Sequence, residues 1–278
     1  MPSKLDAVVV PRAIHGVDFS GAADAGRKIW IASGAMKGNN LHIEECRPGE
    51  ALPNSGRDRT TCLAALRDVI ATAEASVYGF DFPFGLPTAL VPQHCWEDFV
   101  LSFGDTFSSP GEFRRICREA GSGSELKRLT DADHQTPFSA YNLRLHRQTY
   151  FGIRDLIRPL VQNREACMLP MQRAVAGKPW LIEICPAATL KRERLYKPYK
   201  GKTDGRYRTR VAILETIERL GPVIIRQKDL RSVVLDDSNG DALDSILAAF
   251  ATFRAVRNSI CLTVGSNTVY ALEGYVYV

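Results

Sequence analysis

The sequence predicts an α/β protein with a mixed sheet, an antiparallel three-strand meander followed by parallel strands, and a helical insertion over about residues 88–178. Three observations predict it. Residues 13–46 read as consecutive short strands separated by turn residues. An amphipathic pattern over residues 59–75 separates that meander from another apolar run, residues 77–81. A strand–helix–strand order in one sheet implies a right-handed crossover to a parallel neighbour. Finally, three apolar runs carry an acid at or near the C-terminal end: Asp18 in Gly16-Val17-Asp18-Phe19-Ser20-Gly21, Asp81 in Val77-Tyr78-Gly79-Phe80-Asp81, and Glu183 in Trp180-Leu181-Ile182-Glu183.

Each element follows from local pattern. In the first twelve residues, Ala7-Val8-Val9-Val10 is too short for a signal sequence or a membrane span. Strands are expected at residues 13–18, 28–33 and 41–46, with Gly34 and Gly38-Asn39-Asn40 supplying the last turn. The helix over 59–75 turns Leu63, Leu66, Val69 and Ile70 inward. The strand at 77–81 should then lie beside the first, which makes Asp18 and Asp81 neighbours at one edge. The insertion shows helical patches at 96–103, 112–120 and 141–161, punctuated by Gly121-Ser122-Gly123-Ser124 and Thr136-Pro137, and it carries ten arginines. Its apolar stripes are short and need a surface to bury against, so one domain over residues 1–278 is expected. Residues 180–184 resume the sheet. A helix over 210–220 is stopped by Gly221-Pro222, and residues 223–225 can form a short strand. A helix over 241–256, with Ser238-Asn239 as cap candidates, precedes closing strands at 259–264 and 269–278.

Composition narrows the class. With 278 residues, 45% of them hydrophobic, the chain has material for one large core or two small ones. The net charge of +5 is mild, so the placement of charge matters more than its total. The 7 cysteines form no Cys-x-x-Cys clip and are odd in number, which argues against a zinc knuckle or a disulfide framework and for a reducing, cytoplasmic home. Cys185 has no histidine nearby in sequence and reads as a small buried hydrophobe. No run reaches transmembrane length, so no membrane partner is expected; the oligomeric state is left open.

The acids carry the chemistry. Mg²⁺ and Mn²⁺ prefer oxygen ligands, and a two-ion site needs several carboxylates to offset its charge. Without a cation such carboxylates repel and cannot all stay ionised. Asp18 and Asp81 can also be turn residues. Their repeated context, together with Glu183 at the same kind of strand end, points instead to one metal-binding site at the edge where α/β sheets gather ligands. Asp241 and Asp244, three apart in Gly240-Asp241-Ala242-Leu243-Asp244, share a helical face with Ala248 and Ala251, which lets that helix approach the sheet. The alternative for Asp241 is a favourable place on the helix dipole. The basic stretch 191–210 includes Lys197, Lys200 and Lys202 with Tyr196, Tyr199 and Tyr207 interleaved, a pattern that suits phosphate contacts and base stacking and equally suits a solvated loop.

Taken together, Gly16-Val17-Asp18-Phe19-Ser20-Gly21, Asp81-Phe82-Pro83-Phe84-Gly85-Leu86-Pro87, Glu183-Ile184-Cys185-Pro186 and Asp241-Ala242-Leu243 resemble the markers of the domain of unknown function 429 family, with Glu273-Gly274-Tyr275 fitting at the end. The markers span nearly the whole chain. One position departs: family members often carry Thr-His-Pro where this chain has Ile184-Cys185-Pro186. The resemblance implies an RNase H-like sheet and a nuclease that hydrolyses DNA or RNA. Asp18, Asp81, Glu183 and Asp241 would be its catalytic, metal-binding acids, and Asp244 a further ligand. Mg²⁺ or Mn²⁺ would occupy a two-ion site bridged by Asp18. Ser20, Lys197, Lys200 and Lys202 would face the nucleic-acid substrate. Two alternatives stand beside this. An ATPase or kinase-like phosphoryl-transfer enzyme on the same core could use Asp18-Phe19-Ser20-Gly21 as a phosphate loop. A catalytically inert nucleic-acid binder would keep the acids far apart or fill them with a Lys or Arg head group.

Overall fold

In the computed structural model, the described residues are 13–220 and 223–278; the apolar run at residues 7–10 and the Gly221-Pro222 helix stop lie outside them. The strands are β1 (Ala13–Asp18), β2 (Trp30–Lys37), β3 (Asn40–Pro48), β4 (Ser76–Phe80), β5 (Cys167–Leu169), β6 (Trp180–Ile184), β7 (Val223–Ile224) and β8 (Val276–Tyr277). The helices are α1 (Ala25–Lys28), α2 (Arg59–Ala71), α3 (Trp96–Thr106), α4 (Pro110–Ala120), α5 (Leu129–Asp133), α6 (His146–Phe151), α7 (Arg158–Gln162), α8 (Pro186–Arg192), α9 (Asp204–Leu220), α10 (Lys228–Asp236), α11 (Asp241–Arg257), α12 (Ile260–Thr263) and α13 (Thr268–Glu273). No helix among the described residues is long and apolar enough to cross a membrane.

The protein is α/β with a mixed sheet. Its strand order is β5-β6-β4-β1-β2-β3-β7, and β8 also pairs with β6. The meander β1–β2–β3 is antiparallel, whereas β4 runs parallel to β1 and β6 parallel to β4. The helix α2 makes the crossover from β3 to β4, as the strand–helix–strand pattern requires. The segment between β4 and β6 is mainly helical, as expected, but it also supplies β5, a strand too short to stand out between Glu165 and Pro170.

One face of the sheet is covered by α2 and the helices of that segment, around Tyr78, Phe80, Phe82 and Phe84. The other face is covered by α11, whose Ile246, Leu247, Ala248 and Ala249 are fully buried. That helix lies close because β1 and β4 present glycines beneath it. A Cβ on Gly16 would overlap the backbone of Ser245 and Ala249, and one on Gly79 would overlap the Thr252 hydroxyl.

Several boundaries differ from expectation for local reasons. Residues 25–28 form a helical turn, so β2 starts at Trp30 and runs on to Lys37. Gly34 lies within β2 at a bulge rather than in the turn, which is made by Gly38 at φ 63° and Asn39. The helix α9 starts at Asp204, ahead of residue 210, and α8 follows β6 directly with Pro186 in its first turn. The cap of α11 comes from Asp237, which accepts hydrogen bonds from Asn239 N and Ala242 N, and not from Ser238 or Asn239. The closing strands at 259–264 and 269–278 are replaced by α12, α13 and the short β8. Asn267 accepts from Val269 N and starts a helix where alternation alone suggested a strand.

Replacing Gly16 by Ala should force α11 away from β1. Such overpacking costs about 1–3 kcal/mol, and urea unfolding of Gly16→Ala should show a midpoint lowered accordingly. An unchanged midpoint would mean that the helix–sheet contact is not tight there.

Candidate functional site

The parallel register sets the first two acids side by side. Val17 pairs with Phe80, and Asp81 N donates to Val17 O at 3.0 Å, so Asp18 and Asp81 fall in the next row at the C-terminal edge of the sheet. Side chains alternate along a strand, so both share the face of Gly16 and Gly79, which is the face of α11. Gly240, at φ 83°, turns the chain into that helix, and Asp241 and Asp244 occupy its first turn. All four aspartates line one cleft of about 410 Å³.

Among the described residues, one ammonium pairs with two of them. Lys200 Nζ lies 2.7 Å from Asp244 Oδ2 and 3.6 Å from Asp241 Oδ1. The other Asp244 oxygen accepts from the Tyr199 hydroxyl at 2.5 Å. The loop carrying both residues is held by Arg210, which is buried and donates to Tyr199 O, Gly201 O and Leu235 O. Within the basic stretch, Arg210 therefore holds backbone and Lys200 neutralises acids. Lys197 lines a neighbouring cleft, and Lys202 lines a third with Lys28 and Asp241. Asp18, 8% exposed, and Asp81 are reached by no protein hydrogen-bond donor among the described residues.

Glu183 is out of step with the aspartates. It pairs with Phe80, not with Asp81, so it shares the opposite face of the sheet. There both its oxygens are taken by Arg128, at 2.7 and 2.5 Å, and one also accepts from Phe84 N at 3.0 Å. Arg128 is itself 1% exposed and is forked onto Asp131 at 2.9 and 3.0 Å. Nearby, Glu273 accepts from Thr88 N and Leu129 N, so the terminal acid of the family-like pattern ties loops together. The expectation that Glu183 joins the aspartates is corrected to this extent: it opens on the adjoining cleft, and its carboxylate is paired with an arginine. Nothing in the sequence singled out Arg128 among ten arginines of the insertion, because its partner lies 55 positions away.

The insertion reaches over the aspartate edge. A Cβ on Gly21 would meet the Arg147 carbonyl and Gln148 N, so the loop after β1 is pressed against the start of α6. Gln148 donates to Phe19 O, and Arg59 donates to Gly21 O and Ala22 O while stacking on Phe151 at 3.4 Å. Ser20 lines the cleft, and its hydroxyl accepts from Ala22 N. Lys28, Arg144 and Arg147 line the same cleft and add positive charge to it, Lys28 also pairing with Asp24 at 3.1 Å. Other insertion arginines are spent elsewhere, Arg154 on Asp155 and Arg158 on Asp105.

Burial and crowding perturb every acid here. Burial, then Asp244, raises the Asp18 carboxyl well above its ordinary value, with Asp81 and Asp241 adding to the shift. Burial and Asp244 push Asp81 up to about 8. Asp241 and Asp244 are raised by burial against the opposing pull of Lys200. Burial alone would lower the Lys200 ammonium, but Asp244, Asp18 and Asp241 hold it above its usual value. The arrangement can thus store protons or exchange them for a cation. Among the described residues no group of three or more His, Cys, Asp or Glu side chains is placed to hold a metal ion.

These shifts fix the sign of a pH effect. A carboxylate whose folded pKa lies above its unfolded value makes the folded state bind more protons, so stability falls as pH rises between the two values. With chelator present, Asp81 should cost stability progressively from its ordinary value of 3.8 to about 8. Asp81→Asn should therefore be more stable than wild type at pH 8 and little changed near pH 4, read by urea titrations at both ends. Equal stability differences at both pH values would show that Asp81 does not titrate in this window.

Comparison of the chain with protein-family models, with curated proteins and with solved structures gave no match.

Proposed function

We propose that the protein is a divalent-metal-dependent hydrolase of phosphodiester bonds in DNA or RNA, built on an RNase H-like sheet. The observation that carries this reading is the pair Asp18 and Asp81, the first buried and the second half-buried at one sheet edge, with no protein donor to either carboxylate among the described residues. Burying ionisable groups unpaired is costly, and a bound cation removes the cost. The meander followed by parallel strands, with α2 as crossover, is consistent with an RNase H-like core. So are the family-like motifs at Asp18, Asp81 and Asp241.

The donor chemistry suits Mg²⁺ or Mn²⁺, although among the described residues no three of these side chains are yet placed to hold one ion together. Four carboxylates offer only hard oxygen ligands, with no thiol or imidazole lining the cleft. Asp18, Asp81, Asp241 and Asp244 would hold the ions, and Glu183 acts as a positioning residue through Arg128. A pair of such ions supplies an activated water and charge stabilisation of the leaving oxygen. Lys28, Arg144 and Arg147 bind the phosphate backbone, while Lys197 and Lys202 extend the cationic surface along the strand. Tyr199 fixes one oxygen of Asp244. Lys200 balances Asp244 and Asp241, and its charge would be the one a bound divalent ion replaces.

A second reading has one observation in its favour. The Lys200 head group on Asp244 and Asp241 is the arrangement that an inert nucleic-acid binder would use to neutralise retained acids.

The deciding experiment incubates single-stranded, duplex and branched DNA and RNA, with ATP alongside, in Mg²⁺, Mn²⁺ or Ca²⁺. Strand cleavage is expected with Mg²⁺ or Mn²⁺ and little with Ca²⁺, whose longer and more numerous bonds misplace the attacking water. Asp18→Asn should lower the rate by more than the ~10–100-fold that loss of an outer-shell partner costs, with the fold retained. Neutralising Lys197 and Lys202 should weaken binding and flatten the salt dependence by a slope of about 1.4 on single strands. Metal-independent binding without turnover would select the inert binder, and Asp18-dependent ATP hydrolysis without strand cleavage would select a phosphoryl-transfer enzyme.

A further inference from the structure

Beside the aspartate cleft lies a second cavity of about 440 Å³ with a different character. Its lining includes Phe82, Pro83, Phe138, Pro186 and Tyr196. The two cavities meet at Asp81, Arg144, Lys200 and Asp244, which line both. Tyr196 lines the cavity and is 55% exposed, with Lys191 Nζ 5.3 Å from its ring centre. Arg144 stands at the junction with its guanidinium 5.3 Å from the centre of the Phe138 ring. Lys197 and Arg206 add positive charge to the lining.

We propose that this second cavity is a stacking pocket for one unpaired nucleobase, whose attached phosphate lies across Arg144 in the aspartate cleft. The size falls within the ~300–1,000 Å³ of pockets that take one small molecule. The paired change of character, aromatic on one side and cationic with acids on the other, follows the two halves of a nucleotide. A base inside a duplex has both π-faces covered by its neighbours, so only an unpaired or extruded base can enter. The pocket reads little sequence. Its polar floor, Arg128, Asp131 and Glu183, is already paired internally, which leaves stacking as the main contact. The substrate class of the proposed hydrolase is therefore a single strand, a strand end or a bulge, with weak base preference.

The placement of the phosphate rests on the hydrolase reading, and the test separates the two. Binding is measured with chelator present, so that no turnover is needed. The probes are a single-stranded oligonucleotide with one fluorescent purine analogue, the same strand abasic at that position, the corresponding duplex, and the analogue as a free nucleoside monophosphate. The base-containing strand should be quenched on binding and hold about tenfold tighter than the abasic strand. Tyr196→Ala should erase that difference and leave abasic binding unchanged, whereas Tyr196→Phe should keep it. Tyr196 is exposed enough that its variants test the pocket without testing the core. Tighter binding of the strand than of the free nucleotide assigns the site to polymer, and equal binding assigns it to free nucleotides; either supports the pocket. Equal affinity for base-containing and abasic strands, or a duplex bound as well as a single strand, would overturn it. Quenching without any strand cleavage would sink the hydrolase and keep the pocket. Cleavage of the abasic strand at the normal rate would do the reverse.

Discussion

Four aspartates gathered at one end of one sheet repel each other, and among the described residues Lys200 is the lysine that pairs with them. At an effective dielectric near 20, two like charges about 4 Å apart cost roughly 4 kcal/mol. Lys200 answers for Asp244 and Asp241, leaving Asp18 and Asp81 without a partner among the described residues. Burial first, and then this imbalance, raise the Asp18 and Asp81 carboxyls above their ordinary values. Much of the surrounding structure keeps this imbalance in place. Arg210 pins the Lys200 loop by two backbone carbonyls and joins it to α10 through Leu235 O, and Tyr199 ties the loop to Asp244. Gly16 and Gly79 let α11 approach closely enough to bring its first-turn acids to the strand ends.

The same sheet separates two carboxylate systems by the parity of the strand. Asp18 and Asp81 fall in one row and face α11, while Glu183 falls one row earlier and faces the insertion. A carboxylate on that side needs a cation from the insertion, and Arg128 provides it with both oxygens satisfied. Removing one partner of such a buried pair typically costs about 3–5 kcal/mol, so the pair is a strong tie between the insertion and the sheet. The tie also borders the aromatic cavity, which Asp81, Glu183 and Arg128 all line.

Features that depend on local pattern were legible in the sequence. The meander, the helix α2, the parallel strand β4 and the long helix α11 follow from period and turn residues, and the shared edge of Asp18 and Asp81 follows from the crossover rule. Single-residue register was not legible. Glu183 ends an apolar strand just as Asp81 does, and only the pairing with Phe80 reveals that it faces the other way. Partners distant in sequence were equally hidden. Lys200 looked like part of a phosphate-binding run and Tyr199 like a stacking platform, yet both are spent on Asp244. The last twenty residues misled because Val and Tyr suit strands, whereas the Asn267 cap and close helical packing decide for α13.

Whether the aspartates hold a divalent cation can be read directly. A crystal soaked with Mn²⁺ should show anomalous density between Asp18, Asp81, Asp241 and Asp244, with the Lys200 ammonium moved off Asp244. A saturating soak that leaves no density at that edge, with Lys200 still paired to Asp244, would contradict a metal-dependent site.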